Sequence, residues 1–237
     1  MTPQSLDEDF GRFLALFGSP VHAQPMPEAV FDACAGLLPR QLFTYWREVG
    51  VCGFGDGLMW MTNPQEFESL LARWLQGTLL RQRRDLAVIA RTAFGELLVW
   101  ASGKGQVALI SPLEGIVFHY ASADRAPAQA PGAEADAQMR RFWGGLRPET
   151  FEQEDDAQRP LFARLAYRLG PCRRRRCMAS GSTPAWAARA ALPTWPACRC
   201  WPSTIWPWSA ARRALWRCEA GKPARGRGQA GAGRLEC

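Results

Sequence analysis

The chain is expected to fold as an α+β protein, with short N-terminal helices packed on an antiparallel β-sheet, followed by a partial helical module and a disordered tail. Three observations point there. Apolar residues recur at helical spacing through the first fifty positions. Between residues 86 and 120, β-type segments follow one another across connections too short for a parallel crossover. After Pro171 the composition changes abruptly.

Charge shows the same division. The whole chain carries 29 Lys and Arg against 22 Asp and Glu, a net +7, which taken alone suggests a nucleic-acid or anionic-membrane partner. Residues 172–237 hold 13 of the basic residues and only Glu219 and Glu236 as acids, a net +11. Residues 1–171, with 16 basic and 20 acidic residues, carry −4. The part able to build a core is therefore mildly acidic. Only Cys34 and Cys52 fall in it, a usage that suits a reducing compartment. No apolar run approaches the roughly 18–20 residues of a membrane span, and Asp7, Glu8 and Asp9 contradict a secretory signal, so a cytoplasmic location without membrane contact is expected.

Ser5 with Glu8 makes a capping-box pattern, and Leu6, Phe10, Phe13, Leu14 and Phe17 form an amphipathic stripe that Gly18 and Pro20 stop. Pro27 and Glu28 suit the first turn of a second helix, with Gly36 as its stop. Pro39 opens a third, with Leu42, Tyr45, Trp46 and Val49 on its buried face and Gly50 as C-cap. Three glycines in Gly53-Phe54-Gly55-Asp56-Gly57 predict a tight turn before the short strand Leu58-Met59-Trp60-Met61. Phe67, Leu70, Leu71, Trp74 and Leu75 give a fourth helix ended by Gly77. Strands are expected at 86–92, 96–101, 106–110 and 115–120. An Ala- and Pro-rich linker follows, and helical spacing returns at 135–143 and 160–169.

Chemistry-bearing residues are few. The only histidines are His22, in a Pro-flanked loop, and His119, in a strand about to leave the sheet; structural roles are expected for both. The glycine run precedes a strand and no Lys-Ser or Lys-Thr follows it, so it does not resemble a phosphate loop. Glu152, Glu154, Asp155 and Asp156 have no ligand spacing and are expected as a solvated acidic loop. Trp46, Trp60, Trp74 and Trp100 sit on expected buried faces, where packing accounts for them. No catalytic residue, metal or cofactor is assigned, and the chain is not expected to be an enzyme. The partner-binding residues stay open.

A resemblance emerges from several motifs in order. Phe17-Gly18-Ser19-Pro20, Leu38-Pro39-Arg40-Gln41-Leu42 leading into Tyr45-Trp46-Arg47-Glu48-Val49-Gly50, the glycine run through Trp60, Asn63-Pro64-Gln65-Glu66-Phe67 and Ile89-Ala90-Arg91-Thr92-Ala93-Phe94-Gly95-Glu96-Leu97 together resemble the GAD-like domain family. The expected layout is a GAD-like domain at 1–121, a linker at 122–133 and the start of a truncated second module at 134–171. Both modules occur in type VI secretion immunity proteins. The resemblance implies binding to a cognate secreted toxin, most plausibly a nuclease, by direct protein–protein contact.

Residues 172–237 contain six Trp and six Cys but no Val, Phe, Tyr, Asp, Asn or His, which suits neither a packed core nor an ordinary disordered segment. Out-of-frame translation of G+C-rich DNA accounts for this, since CTG leucine codons read one base late become TGG or TGC. The rival reading is a native basic tail, with Arg173, Arg174, Arg175 and Arg176 contacting phosphates and the tryptophans stacking on bases, giving a nucleic-acid-binding protein. Cys198-Arg199-Cys200 lacks zinc-ligand spacing. Resequencing across the codons for Leu169 to Cys177 is expected to reveal an uninterrupted alternative frame with an aliphatic-rich continuation, and the frame-corrected chain is expected to be the more soluble product. A single clean frame ending at Cys237, or equal soluble yield and Tm for the two chains, contradicts it.

Overall fold

The computed structural model describes residues 6–112, 114–120, 132–155, 157–172 and 215–218. The expected α+β architecture is present: among the described residues there are seven helices, and a sheet in which seven strands run antiparallel in sequence order.

Helix α1 (Glu8–Phe17) buries Phe10, Phe13 and Phe17 on the face that the sequence spacing marks. Its cap is Asp7, whose side chain accepts from the Phe10 amide at 3.1 Å; Ser5, the cap expected from sequence, lies outside the described residues. Strand β1 (Val21–Gln24) was not anticipated. It leads through Pro25 and Pro27 into α2 (Glu28–Cys34), with Pro27 as the N-cap. Helix α3 (Arg40–Val49) buries Leu42, Tyr45, Trp46 and Val49 and ends on Gly50, as its sequence indicates. The chain then enters β2 (Val51–Phe54) directly, where sequence reasoning placed only a turn. A 3-10 turn (Gly55–Gly57), β3 (Met59–Met61), a second 3-10 turn (Pro64–Phe67) and α4 (Glu68–Trp74) follow. The meander continues through β4 (Leu86–Thr92), β5 (Leu97–Ala101), β6 (Gly105–Ser111) and β7 (Ile116–Tyr120), each within a residue or two of its expected position.

Strand alternation divides the core into two clusters. Cys52, Phe54, Met59, Met61, Ala90, Leu98 and Trp100 join the cluster built by α1, α2 and α3. Val88, Leu97, Val99, Ala108, Ile110 and Val117 join that of α4, with Phe67, Leu71, Leu75 and Leu80. The sheet is thus covered by helices on both faces.

The stretch 134–171, set apart by sequence as a second module, contributes α5 (Ala133–Gly145), the four-residue α6 (Pro148–Phe151) and α7 (Phe162–Leu169). Its residues Met139, Trp143, Phe151, Leu161, Phe162 and Leu165 belong to the same cluster as Phe10 and Tyr45. Trp143 sits with its ring centroid 5.8 Å from Phe10, 5.0 Å from Phe13 and 6.3 Å from Phe54, edge-on or tilted to each. Gly144 allows this approach: a Cβ there would come within 2.8 Å of the Asp9 carboxylate. A four-residue strand, β8 (Leu215–Cys218), lies parallel to β7. Residues 173–214 and 219–237 of the tail, and 122–131 of the expected linker at 122–133, lie outside the described residues.

One shared core makes a specific expectation. Trp143→Ala is expected to cost about 3–5 kcal/mol and to lower the single unfolding transition of the whole folded body. Denaturant unfolding followed both by tryptophan fluorescence and by far-UV circular dichroism tests this. A transition that stays put for part of the signal would show that 132–172 unfolds as a separate unit.

Candidate functional site

The glycine run, Trp60 and His22, each singled out from sequence for a different reason, meet at one end of the sheet. Gly55, Asp56 and Gly57 all have positive φ, at 59°, 54° and 96°, which confirms the tight turn. Trp60 on β3 faces Gly53 on β2, and its ring lies so close over that strand that a Cβ on Gly53 would meet it at 3.0 Å. Its Nε1–H donates to the Gly57 carbonyl at 2.8 Å, fixing the indole against the turn. On one side of the ring, the Arg91 guanidinium from β4 stands 5.0 Å from its centroid, as cross-strand pairing of Trp60 with Arg91 requires. On the other side, the exposed His22 imidazole lies parallel to it at 6.3 Å. His22 thus belongs to an edge strand, not a loop, and has φ 53°, a left-handed conformation uncommon for a residue bearing a side chain.

Arg91 is buried, with Nη1 donating to the Thr92 carbonyl at 3.1 Å. Sequence reasoning gave it no role of its own. The available signal was a charged residue at an inward position of an apolar strand, next to Ala90 and Thr92. Cys172, after α7, closes over this corner: its carbonyl oxygen lies 3.0 Å from where a Cβ on Gly57 would sit. This corner exposes the His22 imidazole and Asp56, groups suited to contact, above a buried cation–aromatic stack.

The other candidates lie elsewhere. His119 is buried in β7 opposite Ala108, away from the glycine turn. Trp46 and Trp100 are buried, while Trp74 is only half-buried at the margin of the α4 cluster. Burial pushes the thiols of Cys34 and Cys52 up to about 11 and about 12, Glu68 adding to the effect at Cys34. At neutral pH both are protonated, which removes their nucleophilic character. Among the described residues no group of three or more His, Cys, Asp or Glu is placed to hold a metal ion.

The acidic segment departs most from its expected solvated state. Glu152 Oε1 accepts from the Leu161 and Phe162 amides at 3.1 and 2.8 Å, satisfying donors at the start of α7. Asp155 accepts from the Ala157 and Arg159 amides, each at 3.0 Å, and pairs with the guanidinium groups of Arg159 and Arg164. Asp156 lies outside the described residues. These carboxylates therefore build the loop that launches α7. The hydrogen bond from Arg159, then that from Arg164, holds the Asp155 carboxyl well below its ordinary 3.8.

A carboxyl depressed in the folded state stabilises the fold fully above its unfolded value, and this contribution fades as pH falls through the lower folded-state value. Asp155→Asn is therefore expected to lower the Tm by a few degrees at pH 7, with the gap to wild type closing in strong acid. Thermal melts of both proteins from pH 7 to pH 2 check this. A gap of constant size would show that the ion pairs contribute nothing.

Comparison with known proteins bears on the whole assembly. The chain is similar in structure to Atu4351 from Agrobacterium tumefaciens, with a TM-score of 0.69, 20% sequence identity, and coverage of 81% of this chain and 84% of that one. The likeness shows a shared fold. No curated protein matches the chain. No helix among the described residues is long and apolar enough to cross a membrane. Residues 8–113, spanning α1, the glycine turn, Trp60 and Arg91, match the GAD-like domain model.

Proposed function

We propose that this chain is a cytoplasmic immunity protein, one that neutralises a cognate type VI secreted toxin by direct binding and not by turnover. The observation that carries the reading is the GAD-like domain at residues 8–113. The structure supports it through what it invests in. Its polar side chains are spent on locking helices together: Asp7 accepts from Gln41 Nε2 at 3.0 Å and from the Tyr45 hydroxyl, and Asp136 of α5 accepts from the Gln41 amide at 2.9 Å. Burial, reinforced by the Asp7 bond, drives the Tyr45 hydroxyl far above its ordinary value, so it stays a donor across the accessible pH range. A rigid body with a preformed surface binds without a large ordering cost.

A nuclease is the toxin class favoured here. The net −4 of residues 1–171 complements the basic groove that a nuclease presents to phosphates, and such complementarity raises association rates. The second reading, nucleic-acid binding, is favoured by the +11 of residues 172–237.

Co-expression with type VI nuclease toxins from the genome that encodes this chain separates them. An immunity protein is expected to restore growth and to co-elute with the toxin in size-exclusion chromatography. The rival reading requires salt-sensitive DNA binding that disappears when residues 172–237 are removed. Failure both to rescue growth and to bind the toxin would refute the immunity reading.

A further inference from the structure

The loop 75–85, between α4 and β4, carries charge opposite to that of the body around it. Residues 73–84 contain Arg73, Arg81, Arg83 and Arg84 and no acidic residue, within a 171-residue region whose net charge is −4. The loop is also held in shape. Thr78 Oγ1 donates to the Leu75 carbonyl at 2.8 Å and accepts from the Leu80 amide at 3.2 Å, and the Arg83 amide donates to the Leu80 carbonyl at 3.1 Å. Arg83 pairs with Asp85 through two hydrogen bonds, and the Asp85 carbonyl accepts from the Ser102 amide of the following hairpin. Leu80 is 2% exposed and plugs the α4 cluster, while its neighbour Leu79 is 69% exposed. Arg81, Gln82 and Arg84 are exposed around it, and neither Arg81 nor Arg84 makes an ion pair among the described residues.

We propose that this loop is a protein-docking element, in which Leu79 enters an apolar recess of the partner and Arg81 and Arg84 engage carboxylates on its rim. An exposed leucine flanked by arginines has the apolar centre and charged margin of a protein interface. Phosphate-backbone binding uses the arginines but has no use for the leucine. Because Leu80, Thr78 and the Arg83–Asp85 pair hold the backbone in place, the side chains meet the partner with little further ordering. The loop's positive charge against an acidic body also gives the molecule a dipole that orients it as it approaches an acidic patch. The inference rests on the immunity reading and names the face of the chain that meets the toxin.

The test is calorimetric titration of the full chain with the nuclease toxin whose growth arrest it relieves on co-expression, using Leu79→Asp and the double variant Arg81→Glu/Arg84→Glu. Tyr167→Asp, at a still more exposed site on α7, serves as the control. All four side chains are exposed, so the Tm values are expected to match wild type. Both loop variants are expected to weaken binding by about 10-fold or more, with the control unchanged. Wild-type binding that both loop variants retain would overturn this inference and leave the immunity reading standing. Absence of wild-type binding would overturn both. Binding of duplex DNA that the loop variants lose would put a nucleic acid in the place of the acidic protein and overturn the docking proposal.

Discussion

The contact on which the rest of this structure depends is that of Trp143 with Phe10, Phe13 and Phe54. These four rings come from α5, α1 and β2, three elements far apart in sequence, and their tilted and edge-on arrangement is the geometry aromatic quadrupoles favour. The buried indole N–H of Trp143 has no acceptor among the described residues, so shape complementarity and ring packing must hold it. Around this apolar centre lies a polar rim that sets direction. Asp136 and Arg140 on α5 reach Gln41 on α3, and Gln41 in turn reaches Asp7 at the start of α1. One carboxylate thereby caps a helix, binds a tyrosine and positions a glutamine that fixes a third helix. Burial supplies the free energy of α5 docking, and the hydrogen bonds allow only one register.

The same division between apolar drive and polar direction recurs at the glycine turn. Trp60 needs a bare strand beneath it, which Gly53 provides, and the Gly57 carbonyl stops its rotation. Arg91 is taken out of water beside it, a costly placement that the cation–aromatic contact and the Thr92 carbonyl help to offset. Cys172 then closes over the turn from the far end of α7. The end of α1 and the segment after α7 thus both terminate against the same glycine turn. The matched residues 8–113 supply only part of the core that buries them.

How legible this was in the sequence varied with the physical origin of each feature. The stripes of α1, α3 and α4 and the short hairpin connections of β4 to β7 are local signals, and their elements fell where spacing put them. Strands β1 and β2 were missed for two reasons. His22, Ala23 and Gln24 are exposed on an edge strand and show no apolar alternation, while β2 contains Gly53 and runs straight into the Gly55–Gly57 turn, so its end reads as turn. The Asp7 hub was hidden because its partners, Gln41 and Tyr45, are 34 and 38 residues away. The acidic segment misled because composition records that carboxylates are charged but not that backbone amides of an incoming helix, and two arginines, will surround them. No motif marked the loop 75–85 either. The sequence shows two adjacent leucines, and only folding decides that Leu80 goes in and Leu79 stays out.

That last distinction bears on how a protein built this way recognises a partner. Long-range attraction depends on net charge and is screened beyond a distance of about 8–10 Å at physiological salt. Contact depends on a few desolvated side chains whose position is already fixed. In the proposed docking role, the acidic residues 1–171 bearing an arginine-flanked leucine would separate the two tasks: the field of that body would govern which partners approach, and the local patch which of them can seat. A partner that is basic overall yet acidic at its docking rim satisfies both conditions, and few wrong partners would. Such two-level discrimination needs no catalytic group, only a scaffold that does not yield. The aromatic cluster at Trp143 and the pinned loop at Leu80 provide that rigidity at opposite faces of the same sheet.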